Sequence, residues 1–165
     1  MFRSDHRKDS HGLGPSLRVN IRVSIEADQN SLSVFPNQFG ADGYFVTLNV
    51  QLSLITPNSP RTKRFEAIID SGATRCLFDW SIGDFLGIDR SKCKVEKTSG
   101  IGGIEQVYVH EVLLHIPGGA VTITAGFKEK LPVAGLLGMT GFFEHFRVTF
   151  DTVGKVCELE RIFHA

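Results

Sequence analysis

Asp70 closes a short apolar run, Phe65-Glu66-Ala67-Ile68-Ile69, and is followed at once by Ser71, Gly72, Ala73 and Thr74. A carboxylate can hold or release a proton, and a hydroxyl beside it can hydrogen-bond to it. Residues 65–69 are apolar, partly β-branched and too short for a helix, which predicts a buried strand. Asp70 then sits where the strand stops, and Gly72 gives the backbone the freedom to turn. A carboxylate at a buried strand end is costly unless something pairs with it. A turn aspartate capping its own backbone explains the same residues. The motif has to be weighed against the elements that would position it.

Those elements read as strands. Leu17, Val19, Ile21, Val23 and Ile25 alternate with polar residues, a period-two strand with one wet face. Tyr44, Val46, Leu48, Val50, Leu52 and Leu54 alternate again. Thr56-Pro57-Asn58-Ser59-Pro60 is a turn cluster that returns the chain as a hairpin into the strand ending at Asp70. A short strand is expected at 75–78, then a helix over about 80–86, capped by Asp79 or Ser81 and ended by Gly87. Further strands are expected at 93–98, 106–116 and 121–127, and at Leu136-Leu137-Gly138. Residues 142–146 are expected to make one or two helical turns, and 147–151 and 156–160 a closing hairpin. Many short strands with frequent turns and one or two short helices define a mostly-β barrel or sandwich. Residues 1–16 read as a disordered tail. Residues 27–42 read as a loop with a short strand at 32–35, and no internal repeat is visible.

Composition narrows the classes. At 165 residues, with 42% apolar and 22% charged residues, one soluble globular domain is expected. The formal net charge of zero leaves no electrostatic footprint for nucleic acid or an anionic membrane. Thirteen Phe against one Trp and two Tyr make the aromatic content mostly core filler. Cys76, Cys93 and Cys157 are odd in number and form no Cys-x-x-Cys pair, which argues against a disulfide framework and a zinc ribbon. Residues 1–9 carry both charge signs and no apolar core, so no signal peptide is read there. No apolar run approaches a membrane span. A reducing, cytoplasmic location is the expectation.

Three pieces occur in a fixed order: Ile69-Asp70-Ser71-Gly72-Ala73, the turn Gly100-Ile101-Gly102-Gly103-Ile104, and Leu136-Leu137-Gly138 ahead of Arg147-Val148-Thr149-Phe150-Asp151. Their order and spacing resemble the retropepsin-like aspartic proteases, the single-lobe family with retroviral and bacterial members. The likeness spans residues 43–160 and leaves 17–42 as an N-terminal extension with one strand. It implies a closed retropepsin-like acid-protease barrel or sandwich with Asp70 as the catalytic aspartate. It further implies that Ser71, Gly72 and Ala73 support the active-site loop. Residues 100–104 would be the tip of a substrate-covering flap, and Leu136, Leu137 and Gly138 would pack beneath the aspartate. The chain departs from the pattern after Gly138. Met139-Thr140 stand where retroviral members usually have Arg and then Asn or Asp, so the Arg that braces the loop is absent from its usual place.

Peptide hydrolysis by this route needs two carboxylates sharing a proton, because like charges that close cannot both ionise. The ionised oxygen takes a proton from the attacking water, and the protonated carboxyl donates to the carbonyl oxygen. The chain supplies one such aspartate. Asp151-Thr152-Val153-Gly154 is interrupted by Val153, and Asp79, Asp84 and Asp89 lack the hydroxyl-Gly pair. The expected state is therefore a two-fold homodimer with Asp70 of each copy facing its mate. Its substrate would be a peptide or protein, with no metal, cofactor or covalent intermediate. The two carboxyls should titrate as a coupled pair. Ala73 adds no hydroxyl donor, so a mildly acidic optimum is expected. A catalytically silent peptide-binding or assembly module on the same fold is the alternative, since fold does not guarantee activity. A barrel carrying an apolar ligand is a third.

Other motifs fail on chemistry. Gly100-x-Gly102-Gly103 lacks the third glycine of a dinucleotide fingerprint and the Gly-Lys-Ser/Thr of a phosphate loop. Judged alone, it does not separate a mobile flap from an ordinary tight hairpin. His110 and His115 are spaced one residue too far for a zinc helix, and on a strand they face opposite ways. No Gly-x-Ser-x-Gly elbow is present. Cys76 reads as a buried small hydrophobe.

Overall fold

The computed structural model describes residues 20–24, 46–100, 103–151 and 156–162. The expected tail at 1–16, the loop at 27–42 with its strand at 32–35, and the tip residues Ile101 and Gly102 lie outside these. Ten strands and one α-helix are described: β1 (Asn20–Ser24), β2 (Thr47–Ser53), β3 (Phe65–Ile69), β4 (Leu77–Asp79), α1 (Trp80–Leu86), β5 (Lys94–Gly100), β6 (Gly103–Ile116), β7 (Gly119–Lys128), β8 (Gly135–Leu137), β9 (Phe146–Asp151) and β10 (Val156–Arg161). No helix among the described residues is long and apolar enough to cross a membrane.

Period-two alternation builds the barrel. Leu48, Val50 and Leu52 of β2 point inward, as do Val112, Leu114 and Ile116 of β6 and Val121, Ile123, Ala125 and Phe127 of β7. The strand order is β2-β3-β8-β4-β7-β6, and β2 pairs again with β6 through Gln51 to Ser53, which closes a six-stranded barrel. Phe78 fills its middle, with ring centroids 6.0 Å from Phe65 and 5.9 Å from Phe127. Each fully buried Phe contributes about 2–3 kcal/mol of apolar burial. This is the mostly-β barrel expected from the sequence.

Boundaries shift at three places. β4 begins at Leu77, not Arg75, because Arg75 makes only an isolated bridge with Thr140. The β5–β6 hairpin is longer than expected, pairing in register from Lys94↔Val109 out to Gly100↔Gly103. Residues 142–146 form turns and no helix: Phe146 N–H donates to the Phe142 carbonyl at 3.0 Å, but Phe146 already begins β9. Helix α1 keeps its expected ends. The Asp79 side chain accepts from Ser81 N–H, and Gly87 closes the helix in the left-handed region at φ 72°.

A second sheet pairs the ends of the chain. β1 runs antiparallel to β10 from Asn20↔Glu160 to Ser24↔Val156, and β10 pairs with β9. The strand of the N-terminal extension is thus part of the C-terminal sheet.

Candidate active site

β3 lies between β2 and β8, and both neighbours hold its end. Ile69 N–H donates to the Val46 carbonyl at 2.8 Å, and Asp70 N–H to the Leu137 carbonyl at 3.0 Å. The chain then turns, with Ala73 N–H donating to the Asp70 carbonyl at 3.2 Å. Gly72 N–H donates to Asp70 Oδ1 at 2.8 Å, which fixes the carboxylate over its own turn. Asp70 Oδ2 accepts no hydrogen bond among the described residues. Asp70 is half-buried and Ser71 is exposed beside it. A Cβ on Gly72 would lie 3.1 Å from Asp70 Oδ1, so glycine is what leaves the carboxylate room.

The loop after Asp70 is braced by backbone. Met139 N–H donates to the Ala73 carbonyl at 2.9 Å, Thr140 N–H to the Thr74 carbonyl at 3.0 Å, and Cys76 N–H to the Thr140 carbonyl at 2.9 Å. Gly138 makes this parallel approach possible. A Cβ there would sit 2.3 Å from the Arg75 carbonyl oxygen and 2.7 Å from that of Ala73. Met139 occupies the place where the resembling family carries Arg, and it holds the loop through its amide while its side chain is 49% exposed. Leu136 and Leu137 pair with Ile68 and Ile69, and Leu137 is fully buried. The structure therefore brings Asp70, Ser71, Gly72 and Ala73 together with Leu136, Leu137 and Gly138. Cys76 is buried beneath the loop, and burial pushes its thiol up to about 12, so it stays protonated.

The β5–β6 hairpin is tied to the barrel by its inner face. In the register of that hairpin, Glu96 and Glu105 share a face. Arg75 Nη2, on the Asp70 loop, lies 2.5 Å from Glu96 Oε2, and Lys128 of β7 pairs with Glu105. Lys94 reaches Glu96 from the other side at 2.8 Å. The Lys94 ammonium, and then the Arg75 guanidinium, hold the Glu96 carboxyl below the ordinary glutamate range. Ile104, near the hairpin tip, is 75% exposed. Gly100, Gly103 and Ile104 form no hydrogen bond with the Asp70 loop among the described residues, so the hairpin meets that loop through Glu96. Arg75, Glu96, Glu105 and Lys128 stand in no motif of the sequence. The available signal was two acidic residues that fall on one face once the hairpin is drawn.

No group of three or more His, Cys, Asp or Glu side chains is placed to hold a metal among the described residues. His110 and His115 both lie on β6.

No protein-family model matches the sequence, and no curated protein matches it. Among solved structures, a retropepsin-like aspartic protease from Rickettsia conorii is similar, with a TM-score of 0.57 at 16% identity, over 87% of this chain and 92% of that one. At this identity the likeness is one of fold: the chain has the retropepsin-like closed barrel.

Proposed function

We propose that the chain is an aspartic endopeptidase of retropepsin type, active as a homodimer in which each copy contributes Asp70 to one shared site. The observation that carries this reading is the Asp70 loop itself. A half-buried carboxylate at a strand end has one oxygen pinned by Gly72 N–H, and the loop around it is fixed by neighbouring backbone. A carboxylate held this way is pre-aimed, which acid–base catalysis requires. The fold it shares with a known aspartic protease supports the reading.

Two such carboxylates across a two-fold axis hold one proton between them. The ionised Asp70 takes a proton from water as the water attacks the peptide carbonyl. The protonated Asp70 of the partner copy donates to the carbonyl oxygen, and the tetrahedral intermediate collapses with proton transfer to the leaving nitrogen. Ser71 would bond across to the partner loop. The β5–β6 hairpin would close over an extended peptide and hydrogen-bond its backbone. The backbone brace at Gly138 to Thr140 supplies the loop support that an Arg gives elsewhere.

The test is cleavage of a mixed peptide pool between pH 4 and 7 by the wild-type chain and by Asp70→Asn, with and without a statine-type inhibitor. Cleavage by the wild type alone, blocked by the inhibitor, is the expected result. Equal cleavage by Asp70→Asn overturns the reading. No cleavage by a verified dimer leaves the silent peptide-binding module.

A further inference from the structure

The end of the barrel away from Asp70 carries a cleft of about 450 Å³, within the size range of small-molecule sites. It lies between Asn49, Val50 and Gln51 of β2, Arg61 and Arg64 ahead of β3, and the β6–β7 turn from His115 to Ala120. β3 separates the two ends, and at about 3.3 Å per residue Asp70 is about 20 Å from Arg64. The cleft is therefore no part of the candidate active site, and a ligand there does not depend on proteolysis.

Its charge is one-sided. Arg61 and Arg64 line it, and no lining residue is acidic. Neither guanidinium makes an ion pair or hydrogen bond among the described residues, whereas Arg75, Arg90 and Arg147 all have carboxylate partners. Arg161 Nη2 lies 3.5 Å from the Ala120 carbonyl, but Arg161 has a further interaction of its own and does not line the cleft. Glu66 is the register partner of Asn49, but it has an interaction of its own and does not line the cleft.

The backbone that carries the two arginines is held in place. Thr62 between them is buried, and three hydrogen bonds fix it to β2. Its N–H donates to the Leu52 carbonyl at 2.9 Å, its hydroxyl accepts from Leu52 N–H at 2.9 Å, and its carbonyl accepts from the Gln51 amide at 2.7 Å. A chain pinned this way keeps two like charges beside one cavity, where they repel until an anion joins them. The opposite wall is His115, whose Nε2 is 2.9 Å from Ser53 Oγ. Burial, and then the Arg61 charge, hold this imidazole below its ordinary range. Val50, Ile116, Pro117 and Ala120 give the cleft apolar surface.

We infer that this cleft binds a small organic oxyanion, a phosphomonoester or a carboxylate on an apolar body, between Arg61 and Arg64. The guanidiniums take the anionic head by charge-assisted hydrogen bonds. The apolar wall takes the body.

The experiment is amide NMR of the full chain titrated with phenyl phosphate, benzoate, inorganic phosphate and the neutral control benzyl alcohol. It is repeated on Arg61→Gln/Arg64→Gln, whose melting temperature should be unchanged because both side chains are exposed. Saturable shifts at His115, Gly118, Gly119 and Ala120 with an aromatic anion, absent with benzyl alcohol, are expected. The double variant should bind about tenfold more weakly or worse. The His115 titration midpoint should rise when the anion is bound. Whichever aromatic anion binds tighter identifies the head group as phosphoryl or carboxyl. Inorganic phosphate binding as tightly as phenyl phosphate would overturn the apolar half of the inference. No saturable shift with either aromatic anion, equal response to benzyl alcohol, or unchanged affinity in the double variant would overturn it outright.

Discussion

Arg75 and Glu96 join two parts of the chain that sequence keeps apart. The Arg75 guanidinium follows Asp70 by five residues, and it meets Glu96 on β5 at 2.5 Å. Both side chains are about one-quarter exposed, so water screens the pair only in part. The contact makes the position of the hairpin depend on the loop that carries the carboxylate.

Exchanging the charges tests this coupling. Glu96→Gln and Arg75→Gln should each speed amide hydrogen exchange along β5 and the outer half of β6. The swap Arg75→Glu with Glu96→Arg should restore part of the protection. The sign of the pH dependence follows from the lowered Glu96 carboxyl. Its contribution is complete above the ordinary glutamate value of 4.5 and is lost as pH falls through the lower folded value. Protection in the hairpin, taken relative to the intrinsic exchange rate at each pH, should therefore fall on acidification below that range, and the Glu96→Gln chain should not show the fall.

Gly138→Ala should destabilise the fold by about 3 kcal/mol. The new Cβ would meet backbone oxygens of Ala73 and Arg75, which cannot turn aside as a flexible side chain does. Denaturant unfolding checks this. A change under about 0.5 kcal/mol would mean the loop has more room than the geometry gives it.

Gly72→Ala separates catalysis from folding. The added methyl lies on the exposed side of the turn and crowds only Asp70 Oδ1, at 3.1 Å. Stability should change by less than about 1 kcal/mol, while peptide cleavage should fall about tenfold or more as the carboxylate is displaced. Paired melting curves and initial rates read both.

Local signals were legible in the sequence and long-range ones were not. β3, Asp70 and Gly72 are adjacent residues, and the cap and stop of α1 sit at its own ends, so pattern reading finds them. The pairing of β1 with β10 joins residues about 140 apart, and nothing local in Asn20–Ser24 names its partner. Residues 142–146 were expected to make one or two helical turns. Instead the chain turns after Gly141, at φ 101°, and Phe142 packs on Phe146 with ring centroids 5.1 Å apart where β9 starts. Met139 was expected to leave the loop without a brace. The brace runs through its amide, which every residue but proline possesses and which sequence therefore cannot flag. Arg61 and Arg64 carry no local pattern in the sequence, and only the fold sets them in one cleft with His115.

Subunit mixing tests most directly whether two copies of Asp70 make one site. Wild-type chain at fixed concentration is equilibrated with increasing Asp70→Asn chain, and peptide cleavage per wild-type chain is measured. If each site needs one Asp70 from each of two copies, mixed dimers are inactive, and activity per wild-type chain falls in proportion to its fraction of the total. Activity that stays constant as the variant is added would show that a single copy suffices, and would contradict the account.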